Sequence, residues 1–153
     1  MAVRAIPEGF HSVTPYMTVQ GVAKLIDFLK QAFEAEEIER MTGPNGAVGH
    51  AQLKIGDSMV MMGEAPSPEK AMPCAMYLYV KDTDASYKRA IAAGASSLMA
   101  PADQFYGDRN AGVKDPSGNF WWIATHVEDV APEELARRAE VYMKKQQAQQ
   151  RGA

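Results

Sequence analysis

The sequence predicts an α+β fold: two tandem βαβββ units followed by a C-terminal helix. Three observations carry this. Apolar residues alternate between strand and helix periods in the same order twice along the chain. A shift of 61 residues carries Tyr16 onto Tyr77, Val19 onto Val80, Ala32 onto Ala93 and Met61 onto Trp122. The stretch Asp115-Pro-Ser-Gly-Asn-Phe-Trp-Trp-Ile123 reads as a tight turn feeding a strand. Pro presets φ there, Gly tolerates positive φ, and aromatic and branched residues then suit a pleated surface.

The first unit spans about 12–63. Ser12 to Val19 reads as a strand, with Thr14, Tyr16 and Thr18 on one face and Val13, Pro15, Met17 and Val19 on the other. Val22, Leu25, Ile26, Leu29 and Phe33 recur at helical spacing and predict a helix over 22–33. Glu36 to Met41 is a strand. Asn45-Gly46 is a hairpin signal, and Ala47 to Ile55 returns. Gly56-Asp57 turns the chain into a strand over Ser58 to Met62. Residues 64–73, rich in Pro, Ser and charge, form a surface linker.

The second unit spans about 74–126. Ala75 to Val80 is a strand and Thr83 to Ala93 a helix, ended by Gly94. A short strand follows over Ser97 to Ala100. A loop over 103–110 carries Tyr106, Asp108 and Arg109, and Ala111 to Lys114 is a strand. In the last strand, Phe120, Trp122 and Ala124 share one face, and Trp121, Ile123 and Thr125 the other. Pro132 opens the closing helix, about 132–148, with Glu133 and Glu134 at its positive end. Its narrow stripe of Leu135, Ala139, Tyr142 and Met143 is expected to pack on the body or on a second subunit, and its polar tail to fray. Residues 1–11 read as an extended lead-in.

The 153 residues, 46% hydrophobic with net charge −3, suit one globular domain with a substantial core. No basic surplus favours nucleic acid or an anionic membrane, and no apolar run has the length of a signal peptide or a membrane span. The single cysteine, Cys74, excludes an intrachain disulfide and fits a cytoplasmic location. It has no obvious base partner, so a nucleophile is not expected. Gly43, Gly46 and Gly49 serve a hairpin and cradle no phosphate.

The segments HSVTPYMTV (11–19), GHAQLKIGDSMVMM (49–62) and YGDRNAGVKDPSGNFWWIATHVEDVAPEELARRA (106–139) resemble the vicinal oxygen chelate superfamily, and within it the PhnB-like branch. That superfamily includes glyoxalase I, extradiol dioxygenases and bleomycin-resistance proteins. The resemblance implies a curled mixed sheet around a concave cleft, helices on the convex side, and a homodimer.

It also implies where a metal would sit. Family members that use one place His, Gln or Glu at four strand positions, which fall here on Thr14, Met61, Ala75 and Trp122. None of these suits Zn²⁺, Ni²⁺ or Fe²⁺, which want imidazole, carboxylate or thiolate. The inherited metal site therefore reads as lost, and no cofactor is expected. A relocated site would have to draw on His50, Glu64 or His126.

Strand alternation puts Tyr16, Met61, Tyr77, Tyr79, Phe120 and Trp122 on the cleft face, with Met59 and Thr18 beside them, and brings Tyr106 over it from the loop. Such a lining suits an aromatic or apolar small molecule; the same residues could also fill a closed core. His50 is a candidate proton carrier at the cleft edge or a solvated strand residue. Arg109 is a candidate anchor for an anionic ligand group or a tie between loop and sheet. His126, followed by Glu128 and Asp129, reads as a surface-held structural histidine.

The expected function is metal-independent binding of a small molecule. The alternatives are a glyoxalase-like lyase, isomerase or dioxygenase, and a structural dimer with a filled cleft.

Overall fold

The computed structural model describes residues 3–151. Met1 and Ala2 of the expected lead-in and Gly152 and Ala153 of the expected tail lie outside them. The elements run β1 (Tyr16–Val19), α1 (Val22–Phe33), β2 (Glu36–Thr42), β3 (Val48–Ile55), β4 (Ser58–Glu64), a 3₁₀ turn at Pro68–Lys70, β5 (Ala75–Tyr79), α2 (Thr83–Ala92), β6 (Ser96–Asp103), β7 (Asp108–Lys114), β8 (Phe120–His126) and α3 (Pro132–Arg151). The βαβββ order thus occurs twice, as the periodicity predicts.

The strands form two mixed four-stranded sheets, ordered β1-β4-β3-β2 and β5-β8-β7-β6. The 61-residue shift holds at the level of register. Tyr16 lies opposite Met61 and Thr18 opposite Gly63 in the parallel β1–β4 pair; Tyr77 lies opposite Trp122 and Tyr79 opposite Ala124 in β5–β8. Both outer hairpins skip a residue, Ile38 in β2 and Leu98 in β6, one residue off the 61-residue shift. The helix starts correspond as well. Glu64, the last residue of β4, accepts the Gly21 and Val22 N–H groups at 2.7 and 2.9 Å. Thr125 in β8 accepts the Thr83 N–H at 3.0 Å. Each helix is thus tied to the end of its unit's fourth strand, where free N–H groups need acceptors.

Each sheet buries one face. Met17, Val19, Leu53, Val60 and Met62 pack beneath α1, whose Val22, Leu25, Ile26, Leu29 and Phe33 meet them. Val113, Trp121 and Ile123 of the second sheet join the same cluster. The Phe33 ring lies 5.0 Å from the Trp121 ring, so the two units share one core behind their sheets. The opposite faces stay open: Tyr77 is 47% exposed and Tyr79 61%.

The turn at 115–119 fixes this arrangement. Asp115, 4% exposed, accepts the N–H groups of Ser117 (2.8 Å) and Asn119 (3.0 Å), the Asn119 amide (2.9 Å) and the Trp121 indole N–H (2.8 Å). Asn119 in turn accepts the Cys74 N–H just before β5 at 3.1 Å. Gly118 takes the positive φ, 94°, that the turn requires.

Several boundaries differ from those read in the sequence. β1 begins at Tyr16, not Ser12, because the Thr14 hydroxyl donates to the His11 carbonyl and holds the preceding residues in a turn. β6 extends to Asp103, and β7 begins at Asp108, so the expected 103–110 loop shrinks to the residues between them. Asp108, Arg109 and Asn110 pair in register with His126, Thr125 and Ala124. α3 runs on to Arg151, its Lys, Gln and Ala being good helix formers. No residue of α3 is buried. Its base is held by Arg138, which bonds Glu128 and Glu134, and by Tyr142 against the Phe105 ring at 5.0 Å. Among the described residues no helix is long and apolar enough to cross a membrane.

Removal of a fully packed aromatic ring leaves a cavity that neighbours fill only in part. Trp121→Ala is expected to lower stability by about 3–5 kcal/mol in urea titration. Trp122→Ala, on the open face, is expected to lower it by clearly less. Equal losses would overturn the assignment of the two tryptophans to opposite faces.

Candidate functional site

The open face of the second sheet collects the polar chemistry of this unit. β5 supplies Tyr77 and Tyr79, β7 supplies Asp108, Asn110 and Gly112, and β8 supplies Phe120, Trp122 and His126. Strand alternation puts all of them on the side away from α2. At the centre is Asp108, only 3% exposed. One carboxylate oxygen accepts the Tyr77 and Tyr79 hydroxyls at 3.0 and 2.9 Å; the other lies 3.0 Å from His126 Nδ1. Asn110 Nδ2 donates to the Tyr77 oxygen at 2.7 Å, and the Tyr106 hydroxyl is 3.4 Å from it.

Burial alone would raise the Asp108 pKa, but the donors His126, Tyr79 and Tyr77 together outweigh it and hold the group below its ordinary value. Tyr77 is pushed well above an ordinary phenol, first by burial and then by Tyr106, with Asp108 adding to the shift. It therefore stays protonated. His126 Nε2 lies 2.9 Å from Asp129, so both ring nitrogens face carboxylates and both must carry hydrogen to donate. Asp129 first, and Asp108 second, raise the His126 pKa.

Trp122 owes its position to a glycine. It lies opposite Gly112, and a Cβ at that residue would come within 2.4 Å of the indole ring. Phe120 and Trp122 thus extend the aromatic surface away from the tyrosines along β8. On the other flank, Tyr79 and His126 border a groove of about 810 Å³ between the end of α1, the β3–β4 turn and the start of α2.

The first unit's open face carries a smaller polar group. The Tyr16 ring stacks on His50 with centroids 5.9 Å apart, and its hydroxyl is 3.4 Å from His50 Nδ1. Gln52 Nε2 lies 3.3 Å from His50 Nε2. Met61 stands between Tyr16 and Gln52 in the ladder. His50 is therefore a partnered residue of the open face, not a freely solvated one.

Arg109 does not reach the site. It alternates with Asp108, and its guanidinium pairs with Asp84 and, at 2.9 Å, with Asp103. Of the two readings of Arg109, the cleft anchor is corrected and the tie holds, between β7, α2 and β6. Glu64 is engaged in capping α1, and His126 lies in the other unit. The relocated metal set of His50, Glu64 and His126 does not assemble. Thr14, Met61, Ala75 and Trp122 offer between them one hydroxyl, already given to the His11 carbonyl, and one thioether. This donor set does not fit a first-row transition metal. Cys74 hydrogen-bonds Asn119, and burial raises its thiol pKa, as expected for an inert residue.

Asp108 as the hub, with Asn110 and His126 on it, is what the sequence reading missed. The signal was the alternation of Asp108, Asn110 and Gly112 against Arg109, Ala111 and Val113, which continues the β7 strand backwards into the assumed loop.

A family model described as the Glyoxalase/Bleomycin resistance protein/Dioxygenase superfamily matches residues 9–123. Uncharacterised proteins of Mycobacterium bovis and of Mycobacterium tuberculosis (strain H37Rv) are each 34% identical over 146 residues. These cover 88% of this chain, and 93% and 84% of theirs. Among solved structures, TioX from Micromonospora sp. ML1 superposes with a TM-score of 0.61 at 22% identity, covering 76% of this chain and all of that one. A glyoxalase/bleomycin resistance protein/dioxygenase family enzyme from Burkholderia phytofirmans gives 0.60 at 20% identity, covering 73% and 95%. A Pseudomonas aeruginosa protein gives 0.63 at 18%, covering 77% and 99%. These structures share the fold.

Two outcomes check this geometry. Gly112→Ala is expected to displace the Trp122 ring and lower stability by about 1–3 kcal/mol, with a shift in tryptophan emission. An unchanged spectrum and stability would place the ring elsewhere. The His126 contribution to stability is complete below the unfolded-state pKa and is lost as pH rises through the higher folded-state value. NMR titration should show His126 titrating above the ordinary 6.5, and Asp129→Asn should bring it down. A His126 that titrates normally would break the proposed double pairing.

Proposed function

Since the chain belongs to the glyoxalase/bleomycin resistance protein/dioxygenase superfamily, we propose that it binds a small aromatic or apolar molecule, without a metal, on the open face of its second sheet. The observation that carries this reading is the open aromatic face on which Tyr77, Tyr79 and Tyr106 gather at the Asp108 carboxylate and Trp122 and Phe120 continue along β8. A core-filling role would bury these rings; instead they meet solvent. Aromatic walls with a few fixed polar groups are what ligand sites use to bind and orient flat molecules. The absence of a competent metal donor set at the four family positions supports a reading that needs no metal. The hairpin and helix segment over 106–139 supports the PhnB-like branch. A homodimer in the cytoplasm completes the proposal, because a second copy would shield rings that one chain leaves open.

A second reading rests on Tyr16 and His50. A hydroxyl beside an imidazole on the open face pairs the groups of an acid–base site, though at 3.4 Å they would have to close up to exchange a proton, and such a site would serve a glyoxalase-like lyase or isomerase. The two readings differ in their dependence on His50.

The test uses N-phenyl-1-naphthylamine, a neutral aromatic probe, with the Trp121→Phe variant so that emission reports Trp122 alone. Quenching is expected, with affinity at least tenfold weaker in Tyr77→Ala and unchanged in His50→Gln. Quenching that ignores Tyr77, or no binding at all, would overturn the assignment of the ligand to this face.

A further inference from the structure

The ring cluster on the second sheet has an electrostatic sign, and it selects a class of ligand. We infer that the notch between Tyr77, Tyr79 and Tyr106 takes an organic ammonium group, held by the tyrosine faces and by the buried charge of Asp108. This deepens the small-molecule reading and rests on it.

The argument begins with where the phenolic protons go. Tyr77 and Tyr79 both donate inward to the same Asp108 oxygen. A phenol that has given away its one proton can only accept from anything else that approaches. The Tyr77 oxygen already accepts from Asn110 and lies against the Tyr106 hydroxyl, so the outward surface consists of the Tyr79 oxygen and the ring faces, which carry the negative part of the aromatic quadrupole. Such a surface repels anions and attracts cations.

The balance of formal charge has the same sign. Two carboxylates, Asp108 and Asp129, face one imidazole, His126, so even with both ring nitrogens protonated one net negative charge remains. Among the described residues no lysine or arginine pairs with either carboxylate or with the three phenols. Arg109, the cation closest in sequence, is turned to the other side of the sheet by Asp84 and Asp103. Asp108 itself is buried, so water screens its field less than it would at the surface.

The shape is suited to a compact cation. The Tyr77 and Tyr79 rings pack against each other with centroids 5.3 Å apart and planes 54° from parallel, and both meet solvent. Cation–π attraction operates within about 6 Å of a ring centroid, so one ammonium resting on the exposed side of the pair can meet both rings. Tyr106 closes the third side through its hydroxyl contact with Tyr77. The apolar remainder of a ligand would then run toward Trp122 and Phe120.

The test compares choline with 3,3-dimethylbutan-1-ol, which has the same shape and no charge, by NMR shift titration of the full chain. Choline is expected to perturb signals of Tyr77, Tyr79 and Tyr106 and to bind at least tenfold more tightly than the alcohol. Tyr79→Leu, which keeps bulk and removes the ring face, should weaken choline at least fivefold. Asp108→Asn should do the same if the variant folds. Equal affinity for the two probes, or choline shifts confined to other residues, would overturn the inference. Binding of N-phenyl-1-naphthylamine without any choline preference would remove the ammonium site alone; loss of both would remove the ligand face as well.

Discussion

The buried carboxylate of Asp115 is the constraint on which the second unit depends. A charge removed from water must be met by donors, and here four N–H groups converge on it from within a stretch of seven residues. Two come from the turn backbone, one from Asn119 and one from Trp121. This geometry can form only when Trp121 points toward the core. Successive strand residues alternate, so fixing Trp121 inward fixes Trp122 outward, and with it Phe120 and His126. Asn119 passes the constraint to β5 through the Cys74 N–H, and β5 carries Tyr77 and Tyr79. The composition of the open face therefore follows from a turn on the edge of the core.

The repeat explains why the two faces are alike in frame and unlike in chemistry. Register, bulges and helix ties recur in both units, yet the side chains at matching places have diverged. Gln52 in the first unit lies opposite Met61; Gly112 in the second lies opposite Trp122. The larger ring is accommodated by the smaller partner, since a Cβ at Gly112 would meet it. Glu64 and Thr125 perform one task, meeting helix-start N–H groups, with different chemistry. Backbone pairing tolerates such exchanges because its hydrogen bonds do not involve side chains.

The same division marks what the sequence made legible. Two units, their order and the inward or outward direction of Trp121 and Trp122 follow from local periodicity and turn residues, which are short-range signals. The residues read onto the cleft face, Tyr16, Met61, Tyr77, Tyr79, Phe120 and Trp122, are on the open faces of the two sheets. The role of Asp108 was not legible, because a carboxylate next to Gly107 and Arg109 looks like loop chemistry. Only the pairing of 108–110 with 124–126 reveals it as strand, and that pairing spans a turn whose register no single stretch encodes. Arg109 was left between anchor and tie for the same reason: one residue of register moves a side chain to the opposite face. The standing of α3 away from the body was also hidden, since its apolar stripe is real but only its base finds a partner.

The state of Asp108 bears on what the face can do. A general base needs a free lone pair aimed at the substrate and a pKa close to the working pH. Asp108 has neither. Its oxygens receive two phenols and an imidazole, and those donors hold its pKa below the ordinary carboxylate value despite burial. Protonating it would set a hydrogen against the donor or donors on one of its oxygens and weaken the bonds to the other. The group is thus a fixed charge behind an aromatic screen, able to orient and attract but poorly placed to exchange a proton. Catalysis on this face would have to come from elsewhere, and His50 belongs to the other sheet.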